Sequence, residues 1–212
     1  LFHELRMERE RGLHRALNSF RRERQVFQRS GTLQVSFKSK GITSAATLKG
    51  KTVGDWGFGN EYELFAAMTK AGIDPGKDVK IVQQQFDMSA RLQDDIDAAQ
   101  TMVYHEYAQV LEAKNPATGN LHQPSDFNAF NWNDAGTAML QDAIWANTTK
   151  LKDATFQDTT VKFLTASYQG WIFCSTHPTE CRDDVVKLGS KLGASHQLWW
   201  MNEVNKLVWP SP

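Results

Sequence analysis

The sequence predicts an α/β fold, and three observations carry that expectation. Across residues 48–104, short strand-like runs alternate with helical spacing, the pattern of βαβ units on a parallel sheet. A strand at 51–56 leads directly into the turn Gly57-Phe58-Gly59-Asn60. A helix follows over 61–71, where Leu64, Phe65, Met68 and Ala71 recur at helical spacing, and it stops at Gly72 with Pro75 just beyond.

The elements follow in order. Residues 1–29 stand apart, with eight Arg, no Lys, and Glu4, Glu8, Glu10 and Glu23 interleaved. Leu5, Leu13 and Leu17 give this segment a thin apolar face, so a charged helix is expected. Such a helix reads either as a partner- or anion-binding arm or as a solvated surface helix, and charge runs alone favour solvation. Leu33-Gln34-Val35-Ser36-Phe37 alternates apolar and polar residues as a half-buried strand does, and Ser44 is placed to cap a short turn ending at Leu48. Strands are expected at 79–83 and within 96–104, with a short helix at 88–93 between them and another at 107–113. Asn115-Pro116-Ala117-Thr118-Gly119-Asn120 reads as a turn, 127–132 as a strand, and 138–146 as either strand or helix. Residues 158–174 form an amphipathic pattern, with Val161, Leu164, Tyr168, Trp171 and Ile172 on one face, and His177-Pro178 opens another helix through Leu188.

Composition bounds the function classes. At 212 residues with 41% hydrophobic and 23% charged, the chain can build a core, as one large domain or two small ones. A formal net charge of zero argues against nucleic acid as the main partner, since phosphate binding draws on a basic excess. No apolar run approaches the roughly 20 residues that span a bilayer, and residues 1–30 lack the apolar core of a secretory leader. Cys174 and Cys181 do not match a CxxC redox or zinc pair; a local disulfide and two free thiols both remain open. Trp199, Trp200 and Trp209 crowd the C-terminus and read as core or interface residues rather than ligand platforms.

Three constellations are candidates for chemistry. In the first, a strand-to-helix turn aims backbone N–H groups and a helix dipole at one point, which suits a small anion or polar ligand; Trp56, Gly57, Phe58, Gly59, Asn60 and Glu61 form it. The bland alternative is a tight connection that any α/β fold needs. The second is Tyr104, His105 and Glu106 at the end of a strand, where open sheets place their ligands. There a ring can stack on Tyr104 and an amino-heterocycle can donate to Glu106, although a solvated strand end has about the same composition. The third, Asn131-Trp132-Asn133-Asp134-Ala135-Gly136-Thr137, would offer amides and Asp134 to a cleft, against the plainer reading of an Asn/Asp/Gly turn. The six His residues show no metal-ligand spacing, and no nucleophile elbow, Walker loop or complete dinucleotide fingerprint is present, so neither catalytic residues nor a metal or cofactor are expected.

Taken in order, several of these runs resemble a known family. Gly41-Ile42-Thr43-Ser44, Leu48-Lys49-Gly50-Lys51-Thr52-Val53-Gly54, Gly72-Ile73-Asp74-Pro75, Ile96-Asp97-Ala98-Ala99, Met102-Val103-Tyr104-His105-Glu106 and the tail Leu207-Val208-Trp209-Pro210 resemble type II periplasmic-type substrate-binding proteins. The group most resembled joins thiamine-pyrimidine synthases with ABC-transporter binding proteins for pyrimidine, riboflavin-like and sulfonate ligands. The resemblance runs from about Val26 to Pro212. It implies a two-lobed fold with one lobe incomplete, because residues 1–29 do not look like the family's opening strands and helices. The implied division is 30–47 as crossover and partial first lobe, 48–104 as second lobe, and 105–212 as return crossover and remaining first-lobe elements.

By the same resemblance, the turn at 57–61 holds a ligand's polar group, and Tyr104 and Glu106 face its ring. Three positions depart from the family pattern: His105 stands where Asn is usual, Asp94 where Gly is frequent, and Arg91 in an apolar slot. The implied function is a solute-binding component of an ABC importer, extracytoplasmic, partnered by a permease and closing two lobes on a thiamine-precursor-like heterocycle. A thiamine-pyrimidine synthase-like enzyme is the alternative, although the cysteine-rich motif of that branch is absent from 131–146. A further alternative is a non-binding remnant that covers its exposed apolar surface by homo-oligomerisation.

Overall fold

The computed structural model describes residues 19–84 and 96–211. The helix expected at 88–93, Arg91 and Asp94, and most of the Arg-rich segment, with Leu5, Leu13 and Leu17, lie outside the described residues.

The larger of two bodies is built on β2 (Thr32–Phe37), β3 (Thr52–Asp55), β4 (Lys80–Gln83), β5 (Ala99–Met102) and β6 (Phe127–Asn131). β3 and β4 pair in parallel, joined through α1 (Glu61–Lys70), and a parallel bridge from Val53 to Ala98 ties them to the start of β5. β2 lies between β5 and β6 and runs antiparallel to both, with Val35 opposite Ala99 on one side and Ala129 on the other. The expected βαβ unit is therefore present, but the sheet is mixed: β2 alone runs against the other strands.

Each face of the sheet has its own core. Val53 and Ala98 face Leu64, Ala67 and Met68 of α1, the turn residues Ile42, Ala45 and Leu48, and Trp132 of the short helix α3 (Trp132–Ala135). On the other face Val35, Ile96 and Ala99 meet Val110 of α2 (Glu106–Glu112) and Phe127. Ser44 is the N-cap of the turn Ala45–Leu48, in a capping box with Thr47, whose hydroxyl accepts from the N–H groups of Thr43 and Ser44. α1 ends at Lys70, with Ala71 as its C-cap and Gly72 at φ +77° beyond.

The smaller body joins β1 (Phe20–Gln25), paired antiparallel with β7 (Ala143–Asn147), to α4 (Ala154–Thr176), α5 (Pro178–Lys187) and α6 (Ala194–Val208). Its core is Phe27, Val204, Leu207 and Val208, with Trp171, Trp200 and Trp209 half-buried around them. Cys174 and Cys181 form a disulfide across the α4–α5 corner. Two side-by-side segments connect the bodies: Val26 donates to the Asp142 carbonyl at 3.0 Å, and the Gly31 N–H to Gln141 Oε1 at 3.1 Å.

Two expectations change here. The return to the smaller body was expected to begin at His105, yet α2, β6 and α3 still pack on the large sheet, and the chain crosses back only after Ala135. α4 is a helix as expected, but the predicted face splits. Leu164, Tyr168 and Trp171 turn inward, while Val161 (61% exposed) and Ile172 (56%) do not. Of the ambiguous stretch 138–146, only the part from Ala143 is strand.

Candidate functional site

A cleft of about 530 Å³ opens where the C-terminal ends of β3, β4 and β5 meet α6. From the large body come Trp56, Phe58 and Asn60 at the glycine turn, Gln83 and Gln84 at the end of β4, and Met102, Tyr104, His105 and Glu106 at the end of β5; from the small body comes Trp200. Clefts lined by aromatic surface with a few converging polar groups are the usual form of a small-molecule site.

The glycine turn reverses the chain within three residues. Gly57, Phe58 and Gly59 have φ of +70°, +59° and +107°. Two are glycine because the left-handed region costs them nothing, and Phe58 is held there with its ring 88% exposed at the rim. Two N–H groups of this turn already have carboxylate acceptors. The Gly57 N–H donates to the Asp55 carboxylate, and the Gly59 N–H donates to Glu61 Oε2 at 2.8 Å. Burial pushes the Asp55 carboxyl above its usual range, against the pull of the Gly57 N–H. Two carboxylates of the chain itself thus satisfy two of the donors that the sequence offered to a phosphate or other anion.

A buried amide cluster fastens this turn to β5. Gln100, fully buried, donates through Nε2 to the Asn60 carbonyl at 2.8 Å and accepts the Trp56 N–H at 3.4 Å. Gln84 grips the Gln100 backbone in turn, accepting its N–H at 3.0 Å and donating to its carbonyl at 2.6 Å. Sequence reading passed over both glutamines. Their only signal was a run of polar residues inside an otherwise apolar strand pattern.

The opposite wall is aromatic. Tyr104 stacks on Trp200 with ring centroids 5.5 Å apart and planes 25° from parallel, and meets Phe27 edge-on at 5.9 Å. Gly31 has no side chain because a Cβ there would lie 2.8 Å from a Leu207 methyl and 3.2 Å from the Tyr104 ring. Trp199 Nε1 donates to the Val103 carbonyl at 2.9 Å and so pins α6 against the exit of β5. Burial, reinforced by Asp142 and Glu106, pushes the Tyr104 hydroxyl far above its ordinary value, so it stays protonated. Trp200 was expected to be core or interface; it is a wall of the cleft.

Beside Tyr104, Glu106 is buried and its Oε2 accepts the Met102 N–H at 2.9 Å. His105 Nε2 lies 4.0 Å from Glu106 Oε1, and His105 Nδ1 lies 3.0 Å from Nε2 of the buried His196. Burial lowers the pKa of His105, more strongly than Glu106 raises it. Of the residues singled out in the sequence, Trp56, Phe58, Asn60, Tyr104, His105 and Glu106 line this one cleft; Gly57, Gly59 and Glu61 shape its turn. Asp134 stands elsewhere, on the surface, where its N–H is capped by Asn131 Oδ1 at 2.8 Å and its carboxylate accepts from Asn131 Nδ2 at 2.7 Å. Among the described residues, no three His, Cys, Asp or Glu side chains converge as metal ligands.

The fold is that of known binding proteins. The periplasmic aliphatic sulphonate binding protein SsuA from Escherichia coli superposes with a TM-score of 0.60 at 14% identity, over 82% of this chain and 52% of that one. The alkanesulfonate-binding protein SsuA from Xanthomonas axonopodis pv. citri, bound to MOPS, matches with a TM-score of 0.50 at 12% identity, over 84% of this chain and 58% of that one. The chain thus spans little more than half the length of these structures, which fits a type II periplasmic binding fold with one lobe incomplete. No curated protein sequence matches the chain. The profile of the NMT1/THI5-like family matches residues 21–181, and the chain belongs to that family.

Proposed function

We propose that this protein is the solute-binding component of an ABC importer, working outside the cytoplasm with a membrane permease as partner, and that its cleft holds a small nitrogen heterocycle of the thiamine-precursor type. The observation that carries the reading is the composition of the cleft walls. An aromatic pair, Tyr104 and Trp200, offers a ring a surface to stack on, and the buried Glu106 beside it offers an acceptor for a ring amino group. Asp55 and Glu61 already occupy the Gly57 and Gly59 N–H groups, which favours a ligand that brings N–H groups over one that brings only oxyanions. Closure of the small body over the large one, moving Trp200 against the turn, would retain the ligand.

A thermal-shift screen with aminopyrimidine thiamine precursors, riboflavin and alkanesulfonates tests the reading. An aminopyrimidine at a hundredfold excess over Kd is expected to stabilise the protein by about 2.7 kcal/mol. A shift with sulfonates alone would contradict the heterocycle assignment, and no shift with any compound would contradict the binding function.

A further inference from the structure

The cleft histidine does not act alone. From the cleft inward, His105 Nδ1 meets His196 Nε2 at 3.0 Å, and His196 Nδ1 meets Glu112 Oε2 at 3.0 Å. His196 is buried at 3% exposure, whereas the Glu112 side chain is 47% exposed, so the chain of groups runs from the cleft to the outer surface. We infer that this chain sets the polarity of the nitrogen His105 leaves on the cleft side: an acceptor while both rings are neutral, a donor once the pair holds one added proton. The inference rests on the cleft being a ligand site and goes beyond that reading by naming how ligand charge is selected.

The proton positions follow from the end of the chain. A carboxylate only accepts, so His196 Nδ1 must carry the hydrogen shared with Glu112. A neutral His196 then has a bare Nε2, which can only accept, so the hydrogen between the rings belongs to His105 Nδ1. His105 Nε2 is left with its lone pair. It lies 4.0 Å from Glu106 Oε1, a second acceptor. Two acceptors at that separation suit a ligand amino, amidinium or ammonium group that donates to both. Adding one proton to the pair places an N–H at His105 Nε2, whichever ring carries the charge, because Nδ1 and His196 Nε2 still share one hydrogen. The charged and titratable groups acting on His105 are Glu106 and Glu112 from α2 and His196 from α6. Burial lowers the His105 pKa, which opposes placing that proton on its ring. Donor-rich heads are therefore preferred while both rings are neutral, and acid shifts the preference toward anions.

Benzamidine and benzenesulfonate separate these states, because they share a ring and keep opposite fixed charges between about pH 5 and pH 8. Calorimetric titration of the whole chain should favour benzamidine about tenfold at pH 8, with that ratio falling about tenfold at pH 5. In Glu112→Gln the half-exposed site tolerates the change, and an amide no longer fixes the His196 tautomer. The pH 8 ratio should then fall toward parity. A ratio in the unaltered protein that does not change with pH, a Glu112→Gln variant that keeps the full ratio, or binding of neither probe would overturn the inference. If the probes fail while a compound of the thermal-shift screen binds, the cleft remains a ligand site and only the histidine chain falls. If nothing binds, both readings fall.

Discussion

Gln100→Leu tests whether the cleft's shape depends on the buried amide cluster. The substitution keeps the approximate size of a side chain that is 0% exposed and removes two hydrogen bonds, to the Asn60 carbonyl at 2.8 Å and from the Trp56 N–H at 3.4 Å. An abandoned buried polar group costs about 1–3 kcal/mol. The long Trp56 bond lies at the low end, the short Asn60 bond nearer the middle, and burial of the added apolar surface offsets about 1 kcal/mol. The net expectation is a loss of about 2 kcal/mol, read as a lower urea midpoint at unchanged slope. Because both lost bonds belong to the turn, ligand affinity should fall further than in a core variant of equal stability, such as one trimmed at Met68 in the α1 core. A midpoint within about 0.3 kcal/mol of the unaltered protein would refute the reasoning, since no measurable desolvation penalty would then exist.

Three further outcomes are expected. Val161→Gln should change stability by less than about 0.5 kcal/mol because Val161 is 61% exposed, whereas Leu164→Ala on the inward face should cost about 1–2 kcal/mol by urea titration. Reducing the Cys174–Cys181 disulfide, which closes a loop with sequence separation 7, should cost about 2–3 kcal/mol in an unfolding titration with and without reductant. Stability should also depend on His105. Its folded pKa lies below the ordinary imidazole value of 6.5, so below that pH the unfolded chain takes up a proton the folded one refuses. The His105 contribution is therefore full above 6.5 and is lost as pH falls from 6.5 through the folded value, and His105→Asn should flatten that acid loss.

What was legible in the sequence was local. The strand, the Gly57-Phe58-Gly59 turn and the helix after it are neighbours in the chain, and glycine at positive φ, apolar spacing and the Gly72 stop all act within a few residues. Tyr104, His105 and Glu106 were legible for a similar reason, since they follow directly on a strand end. Trp200 was not, because it reaches the cleft on α6, which docks through the Trp199 bond to Val103 across 96 residues of chain. The engagement of the turn donors by Asp55 and Glu61 has a short-range signal, a carboxylate two residues from each glycine, which a reading aimed at an anion overlooks. The face of α4 was misjudged because apolar periodicity cannot say which arc of a helix a small body has residues to cover.

The central claim is that a ligand sits between the glycine turn and Trp200. The indole N–H resonances report on it directly, since the chain has seven Trp, of which Trp56 and Trp200 line the cleft while Trp132 lies in the core and Trp145 is exposed on β7. With a saturating compound from the thermal-shift screen, the Trp56 and Trp200 signals should move together along one binding curve while those of Trp132 and Trp145 stay in place. Saturable binding that moves Trp145 and leaves Trp56 and Trp200 unchanged would contradict it.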